Sequence, residues 1–257
     1  MQLEKRLVKG SYPALSPDAR TLAFSVDGVN TTTKDMSREI KFLDLSTGKV
    51  SGVPSLEKFL CYGGVWSPDG GMFAFSMLVD KQWEVGVLDV QTQKWQVLTK
   101  QLSKSLGVYS STWTPDSKTV VCHDLDKIFQ VDLKGNIVKT IVANEVVDDI
   151  TFISSATTFL LSSDGRYLLF DTETQPGESR IPMLWLYDLQ LKKRTRISPA
   201  RLRSSSPQWL GSGDEIVFSG MASGKGARPN VYRMKSDGTQ MSLVVGNVDQ
   251  FSAAPAQ

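Results

Sequence analysis

The chain has 257 residues, 40% of them hydrophobic, and its 29 basic against 27 acidic side chains leave a formal charge of +2. That near-balance gives no pull toward nucleic acid or an anionic membrane, and no apolar run reaches the roughly 18 residues of a membrane-spanning helix. The first residues, MQLEKRLVKG, place charges where a secretion signal carries its apolar core, so the chain is read as cytoplasmic or as the mature part of a longer precursor. Cys61 and Cys122 are the only cysteines; both fall in apolar runs and are expected as reduced core residues rather than a bridge.

Turn chemistry divides the chain into copies of one unit. The first copy opens with Tyr12-Pro13-Ala14-Leu15-Ser16-Pro17-Asp18 and a strand over Thr21 to Val26, followed by Ile40 to Leu45 and a Ser46-Thr47-Gly48 turn. The second reads Val65-Trp66-Ser67-Pro68-Asp69-Gly70, then strands over Met72 to Ser76, Val85 to Val90 and Trp95 to Leu98. In the third, Trp113-Thr114-Pro115-Asp116 precedes strands over Thr119 to His123, Lys127 to Asp132 and Ile137 to Val142. The fourth has lost its proline: Ser162-Ser163-Asp164-Gly165 precedes Arg166 to Phe170, Met183 to Asp188 and Arg194 to Ile197. The fifth, Pro207-Gln208-Trp209-Leu210-Gly211-Ser212-Gly213, precedes Glu215 to Ser219, Asn230 to Lys235 and Met241 to Val245. The turn acid falls at 18, 69, 116 and 164, with Ser212 in the fifth slot, so the steps are 51, 47, 48 and 48 residues.

Proline presets φ at the first central turn position, aspartate bonds its own backbone, and glycine accepts positive φ. Short β-rich runs joined by such turns are hairpins, and the unit is a four-stranded antiparallel meander with no helical period between its strands. One meander cannot bury both faces. Stacking twisted meanders around an axis buries them and leaves only short edges, which is a β-propeller.

The pattern Trp66-Ser67-Pro68-Asp69-Gly70 before an apolar strand, with a later strand ending in Asp-Leu and a turn, resembles TolB-type propeller repeats. It is also similar to repeats in the propellers of prolyl-oligopeptidase-like peptidases, whereas the Gly-His and Trp-Asp pairs of WD-type blades are absent. The resemblance covers nearly the whole chain and implies a partner-binding role in the bacterial envelope, hence a periplasmic location. TolB itself has a separate N-terminal domain, so its specific partner is not carried over.

The sequence therefore predicts an all-β chain forming a single β-propeller domain over residues 1–257, with five four-stranded blades and six as the alternative. Six is the number the TolB resemblance implies. Leu3 to Val8 reads as the last strand of a blade, and Phe251 to Ala256 as the start of a sixth motif, so the termini are expected to share in closing the ring. The run Asp148 to Ile153 adds one further apolar segment before the fourth motif.

Catalytic patterns are sparse. His123 is the sole histidine, which excludes a multi-histidine metal site of the kind held by propeller pectate-type lyases, and any scheme needing two imidazoles. It ends an apolar strand with no nucleophile elbow nearby and is expected as a packed residue near a blade edge. The four turn acids are read as turn caps. Propeller glycosidases use acids around the central pocket, and Asp148 with Asp149 are the only adjacent acids in such a slot. The stretch Gly220 to Gly226 lacks the Ser or Thr and the helix of a phosphate loop, and Asn30-Thr31-Thr32 matches a glycosylation sequon without a secretion signal to support it.

The first residues of the innermost strands, Tyr12, Tyr62, Tyr109, Asp148, Asp149 and Arg203, are expected to line the mouth of the central tunnel. Three long loops, Asp27 to Glu39, Asp171 to Pro182 and Gly220 to Pro229, share that face and carry Lys34, Arg38, Arg180, Lys225 and Arg228 with Asp35, Glu173 and Glu178 mixed in. Rigid scaffolds present function on loops. The expectation is a non-catalytic, monomeric module without cofactor or metal, binding a protein or peptide on this face, with the tyrosines and Arg203 as central anchors. A glycan hydrolase or a peptidase-associated propeller is the alternative, and nucleic acid and membrane insertion are not expected.

Overall fold

The structure is a computed structural model. It describes residues 8–29, 36–100, 102, 107–147, 151–174, 181–210, 213–222, 224, 226–248 and 250–253. The first meander is β1 (Ser11–Leu15), β2 (Thr21–Val29), β3 (Met36–Asp44) and β4 (Val50–Gly52), followed by a 3-10 turn at Pro54–Leu56. The second is β5 (Leu60–Trp66), β6 (Met72–Val79), β7 (Gln82–Asp89) and β8 (Trp95–Val97). One parallel pairing, Arg38 with Leu60, joins these two into an eight-stranded sheet. The third is β9 (Tyr109–Trp113), β10 (Thr119–His123), β11 (Lys127–Asp132) and β12 (Ile137–Val142), ending in the single helical turn α1 (Ala143–Val146).

The fourth meander opens on two short strands, β13 (Thr151–Phe152) and β14 (Leu160–Leu161), both paired to β15 (Tyr167–Thr174), and continues through β16 (Met183–Asp188) and β17 (Lys193–Arg196). The extra apolar run before the fourth motif thus supplies β13, while its residues 148–150 lie outside the described residues. The fifth is β18 (Leu202–Leu210), β19 (Glu215–Ala222), β20 (Asn230–Lys235) and β21 (Ser242–Val245). Within each meander every described pairing is antiparallel. The segment expected over Leu3 to Val8 lies, but for Val8, outside the described residues.

The Ser-Pro-Asp turns fold as the sequence dictates. The hydroxyl of Ser16, Ser67 or Ser162 donates to the carboxylate two residues on (Asp18 2.6 Å, Asp69 2.5 Å, Asp164 2.5 Å) and accepts the amide five residues on (Thr21, Met72 and Tyr167, each 2.9 Å). Thr114 does the same for Asp116 at 2.7 Å and Thr119 at 3.1 Å. Each carboxylate takes a further backbone amide, from Arg20, Gly71, Lys118 or Arg166. The Ser or Thr hydroxyl is the largest cause holding Asp18, Asp69, Asp116 and Asp164 below the usual carboxylate range. These acids are turn caps, each spent on its own hairpin.

Among the described residues four apolar clusters lie between successive meanders. Phe42, Trp66, Phe73 and Phe75 fill the first seam; Val87, Trp113, Val120 and Cys122 the second; Ile128, Phe159, Leu168 and Phe170 the third; Leu184, Ile216, Phe218 and Met234 the fourth. Indoles stitch three of them: Trp66 Nε1 donates to Ala14 O (2.9 Å), Trp113 to Val65 O (3.0 Å) and Trp209 to Leu160 O (3.1 Å). Cys61 and Cys122 are free and buried; burial pushes the Cys61 thiol up to about 12 and that of Cys122 higher still. Among the described residues no helix is long and apolar enough to cross a membrane.

Candidate binding rim

Innermost strands β1, β5, β9 and β18 each carry a register shift, at Ser11/Ala14, Tyr62/Val65, opposite Val121/Cys122, and at Ser205/Gln208. A bulge leaves a residue unpaired and re-aims its neighbours. Here it drives Tyr12 (φ 52°), Gly63 (φ 57°) and Ser206 (φ 52°) into the left-handed region. For a bulky aromatic such as Tyr12 this conformation is strained, and the surroundings must hold it. The amide of Ser206 is taken by Asp171 Oδ2 at 3.1 Å and that of Tyr12 by Gln250 Oε1 at 2.8 Å, in each case across a seam.

The irregularity opens β1 and falls mid-strand in β5, β9 and β18; the end at which the innermost strands begin is here called the upper rim. There the structure brings together three residues. Arg38 on β3 bonds Asp27 Oδ1 on β2 through Nε at 2.5 Å, and its guanidinium lies 5.8 Å from the ring centre of Tyr12 on β1. Tyr12 keeps 44% of its surface exposed. The pairing Asp27 with Arg38 is a cross-strand register pair, because β2 and β3 run out to Val29 and from Met36. The stretch expected as a loop from Asp27 to Glu39 is therefore mostly a hairpin extension, only 30–35 lying outside the described residues. Asp171–Thr174 and Gly220–Ala222 are likewise strand rather than loop, since their ladders to the preceding innermost segments continue.

The other expected mouth residues are dispersed. Tyr109 is buried, its ring 5.6 Å from His123, and burial raises its hydroxyl pKa. Arg203 is half-buried on β18 opposite Met221, and Arg228 is exposed ahead of β20. Tyr62 pairs through its backbone with Ser76; its side chain, with that of Glu173, lies outside what is described. Asp148, Asp149, Arg180, Lys34, Asp35, Glu178 and Lys225 also lie outside the described residues.

His123 departs from its expected place at a blade edge. It is buried in the third seam, Nε2–H donating to Thr157 O at 2.9 Å, with Phe159 edge-on at 5.4 Å. Nδ1 has no partner among the described residues, and burial draws the imidazole pKa down to about 4. It is a neutral packing group. No sequence signal pointed to Glu84, a buried carboxylate whose Oε2 accepts the Thr99 hydroxyl at 2.5 Å while that hydroxyl accepts the Val85 amide. Among the described residues no group of His, Cys, Asp and Glu is placed to hold a metal ion.

No protein-family model matches the sequence, and no curated protein does. Solved structures do match in fold. TolB from Acinetobacter baumannii superposes with a TM-score of 0.64 at 23% identity over 95% of this chain, which spans 56% of that protein's length. A protein assigned as TolB from Agrobacterium tumefaciens gives 0.65 at 20% identity over 91% of this chain and 79% of its own. An oligogalacturonate lyase in complex with manganese gives 0.56 at 16% identity, over 93% of this chain and 66% of its own. Four-stranded antiparallel meanders, their clustered seams and these superpositions together make the fold of this chain that of a TolB-type β-propeller.

Proposed function

We propose that the chain is a non-catalytic propeller module of five full blades that binds a protein or peptide at its upper rim, within the bacterial envelope. The observation that carries this reading is the cluster of Tyr12, Asp27 and Arg38. An exposed aromatic is held in a costly backbone conformation beside a guanidinium already oriented by a carboxylate. Aromatic and arginine side chains presented rigidly lose little entropy on binding and dominate interface energies. The periplasmic location follows from the TolB likeness alone and is tested by cell fractionation.

The experiment is affinity capture from envelope extract, identification of the captured protein, and titration of that protein against Tyr12→Ala/Arg38→Ala/Arg203→Ala. Affinity should fall at least 100-fold with the melting temperature of the β-sheet signal kept within a few degrees. Unchanged affinity rejects the rim. The hydrolase alternative is tested by a glycosidase and peptidase substrate screen, in which turnover lost on Asp148→Ala and Asp149→Ala would replace the binding reading.

A further inference from the structure

The bulge shared by the innermost strands is enlarged in the fourth meander. In β1, β5 and β18 two residues stand opposite one: Tyr12 and Pro13 opposite Phe24, Gly63 and Gly64 opposite Phe75, Ser206 and Pro207 opposite Phe218. At the matching place β13 ends its ladder with Phe152 opposite Glu173, and β14 resumes it with Leu160 opposite Leu169. Residues 153–159 therefore stand opposite 170–172, seven against three. The described bonds of this excursion close on itself, Ser154 O accepting the Thr157 amide at 3.0 Å and Thr157 Oγ1 the Ser154 amide at 3.1 Å, apart from the one that Thr157 O accepts from His123.

Buried polar groups face the third seam here without a partner. In β10, His123 lies on the face of Val121, and in β15 Thr172 lies on the face of Leu168 and Phe170; these three apolar residues pack in that seam. His123 is 1% exposed and Thr172 3%, yet His123 Nδ1 and Thr172 Oγ1 have no partner among the described residues. Trp185 Nε1, on the residue opposite Phe170, is a third such atom, whereas the indoles of Trp66, Trp113 and Trp209 each reach a carbonyl. A buried polar atom left unpaired forfeits its hydration and gains no bond, so three on the walls of one seam call for an occupant.

These groups define the occupant. His123 Nε2–H is committed to Thr157 O at 2.9 Å, so Nδ1 offers a lone pair and needs a donor. The Thr172 hydroxyl donates and accepts, and the indole only donates. A neutral imidazole, a hydroxyl and an indole supply no countercharge, and burying an unpaired charge costs far more than burying a hydroxyl. Around them stand rings: Tyr109 lies 5.6 Å and Phe159 5.4 Å from His123, and Phe159 5.3 Å from Phe170. An uncharged chain or ring of hydroxyl-bearing carbons meets both demands, O–H on the polar atoms and C–H against the rings. We infer that the upper end of the third seam, between His123 and Thr172, is a binding site for a small uncharged polyol, with one hydroxyl donating to His123 Nδ1 and another bonded to Thr172 Oγ1. None of its side chains belongs to the Tyr12, Asp27 and Arg38 cluster, so either reading can fail alone.

His123 is the sole histidine, so the full-length chain labelled with nitrogen-15 histidine reports this site alone. Near neutral pH the long-range proton–nitrogen spectrum should show the Nε2–H tautomer with Nδ1 unbonded. Titration with myo-inositol, and separately with D-glucose, should move the Nδ1 resonance saturably to its hydrogen-bonded position while Nε2 stays fixed. Inorganic phosphate, which can also donate but is charged, should leave it unmoved. Thr172→Val should weaken the better-binding polyol about tenfold, as the loss of one hydrogen bond implies, without lowering the urea midpoint, because no described group loses a partner. The wild-type titration stands whether or not that variant folds. An Nδ1 resonance already in its hydrogen-bonded position and indifferent to both polyols would mean a buried water only and overturn the inference. So would the absence of a saturable shift, an equal response to phosphate, or equal polyol affinity in wild type and Thr172→Val.

Discussion

Replacing Trp113 by Phe tests whether the indole bonds hold the seams. Trp113 is almost fully buried in the second seam and its Nε1 reaches Val65 O at 3.0 Å. Phenylalanine keeps most of the apolar contact, deletes the donor and leaves the Val65 carbonyl without that partner. The lost hydrogen bond costs about 1 kcal/mol and the lost apolar area roughly 1 kcal/mol more, with up to about 1 kcal/mol for the stranded carbonyl. The expected total is about 2–3 kcal/mol, or roughly 5–10 °C in a chain of this size. Trp95→Phe is the internal control. That indole also donates, to Ser55 Oγ at 2.9 Å, but at an exposed position where water replaces the bond, so its loss should cost about 1 kcal/mol or less. Urea unfolding of both variants by tryptophan-independent circular dichroism reads the difference as a midpoint shift at constant slope. Equal losses at the two positions, or a larger one at Trp95, would refute the seam argument.

Ser67→Ala removes a fully buried hydroxyl that bonds both Asp69 and the Met72 amide, and should cost about 1–2 kcal/mol in the same urea assay; a Ser46→Ala change on the exposed turn at Asp44 should cost less, because water reaches that carboxylate and replaces the bond. His123 is neutral when folded, with its pKa drawn down to about 4 by burial, so the unfolded chain binds the proton first. Stability should then be full above pH 6.5 and fall by on the order of 3 kcal/mol as pH drops from 6.5 to 4. His123→Gln should flatten that window, and a wild-type profile level from pH 7 to 4 would contradict the burial argument. Below pH 4 both proteins should lose stability together, because Asp44 and Asp188 are held down to about 2, by the Ser46 hydroxyl and the Arg166 guanidinium, and the turn acids Asp18 and Asp69 are lowered as well. Neither Cys61 nor Cys122 should react with a thiol reagent in the native chain, both reacting on unfolding; one rapid equivalent would place a thiol at the surface.

Local chemistry alone was enough to specify the meanders. Strands over Thr119 to His123, Lys127 to Asp132, Met183 to Asp188 and Asn230 to Lys235 follow the bounds read from the sequence, and the Ser/Thr–Asp clasps of the first four meanders close through groups no more than five residues apart. Packing set how far the β2–β3 hairpin extends, where His123 lies, and which mouth residues meet. Tyr12 finds Arg38, while Tyr109 turns inward to His123, since each outcome depends on which sheet faces stack. Seam contacts join residues 34 to 52 positions apart, and the segment 250–253 meets β1 across more than two hundred. A period of two along a strand fixes which side chains share a face, but the choice of facing partner is made when the sheets pack, and the binding surfaces belong to that choice.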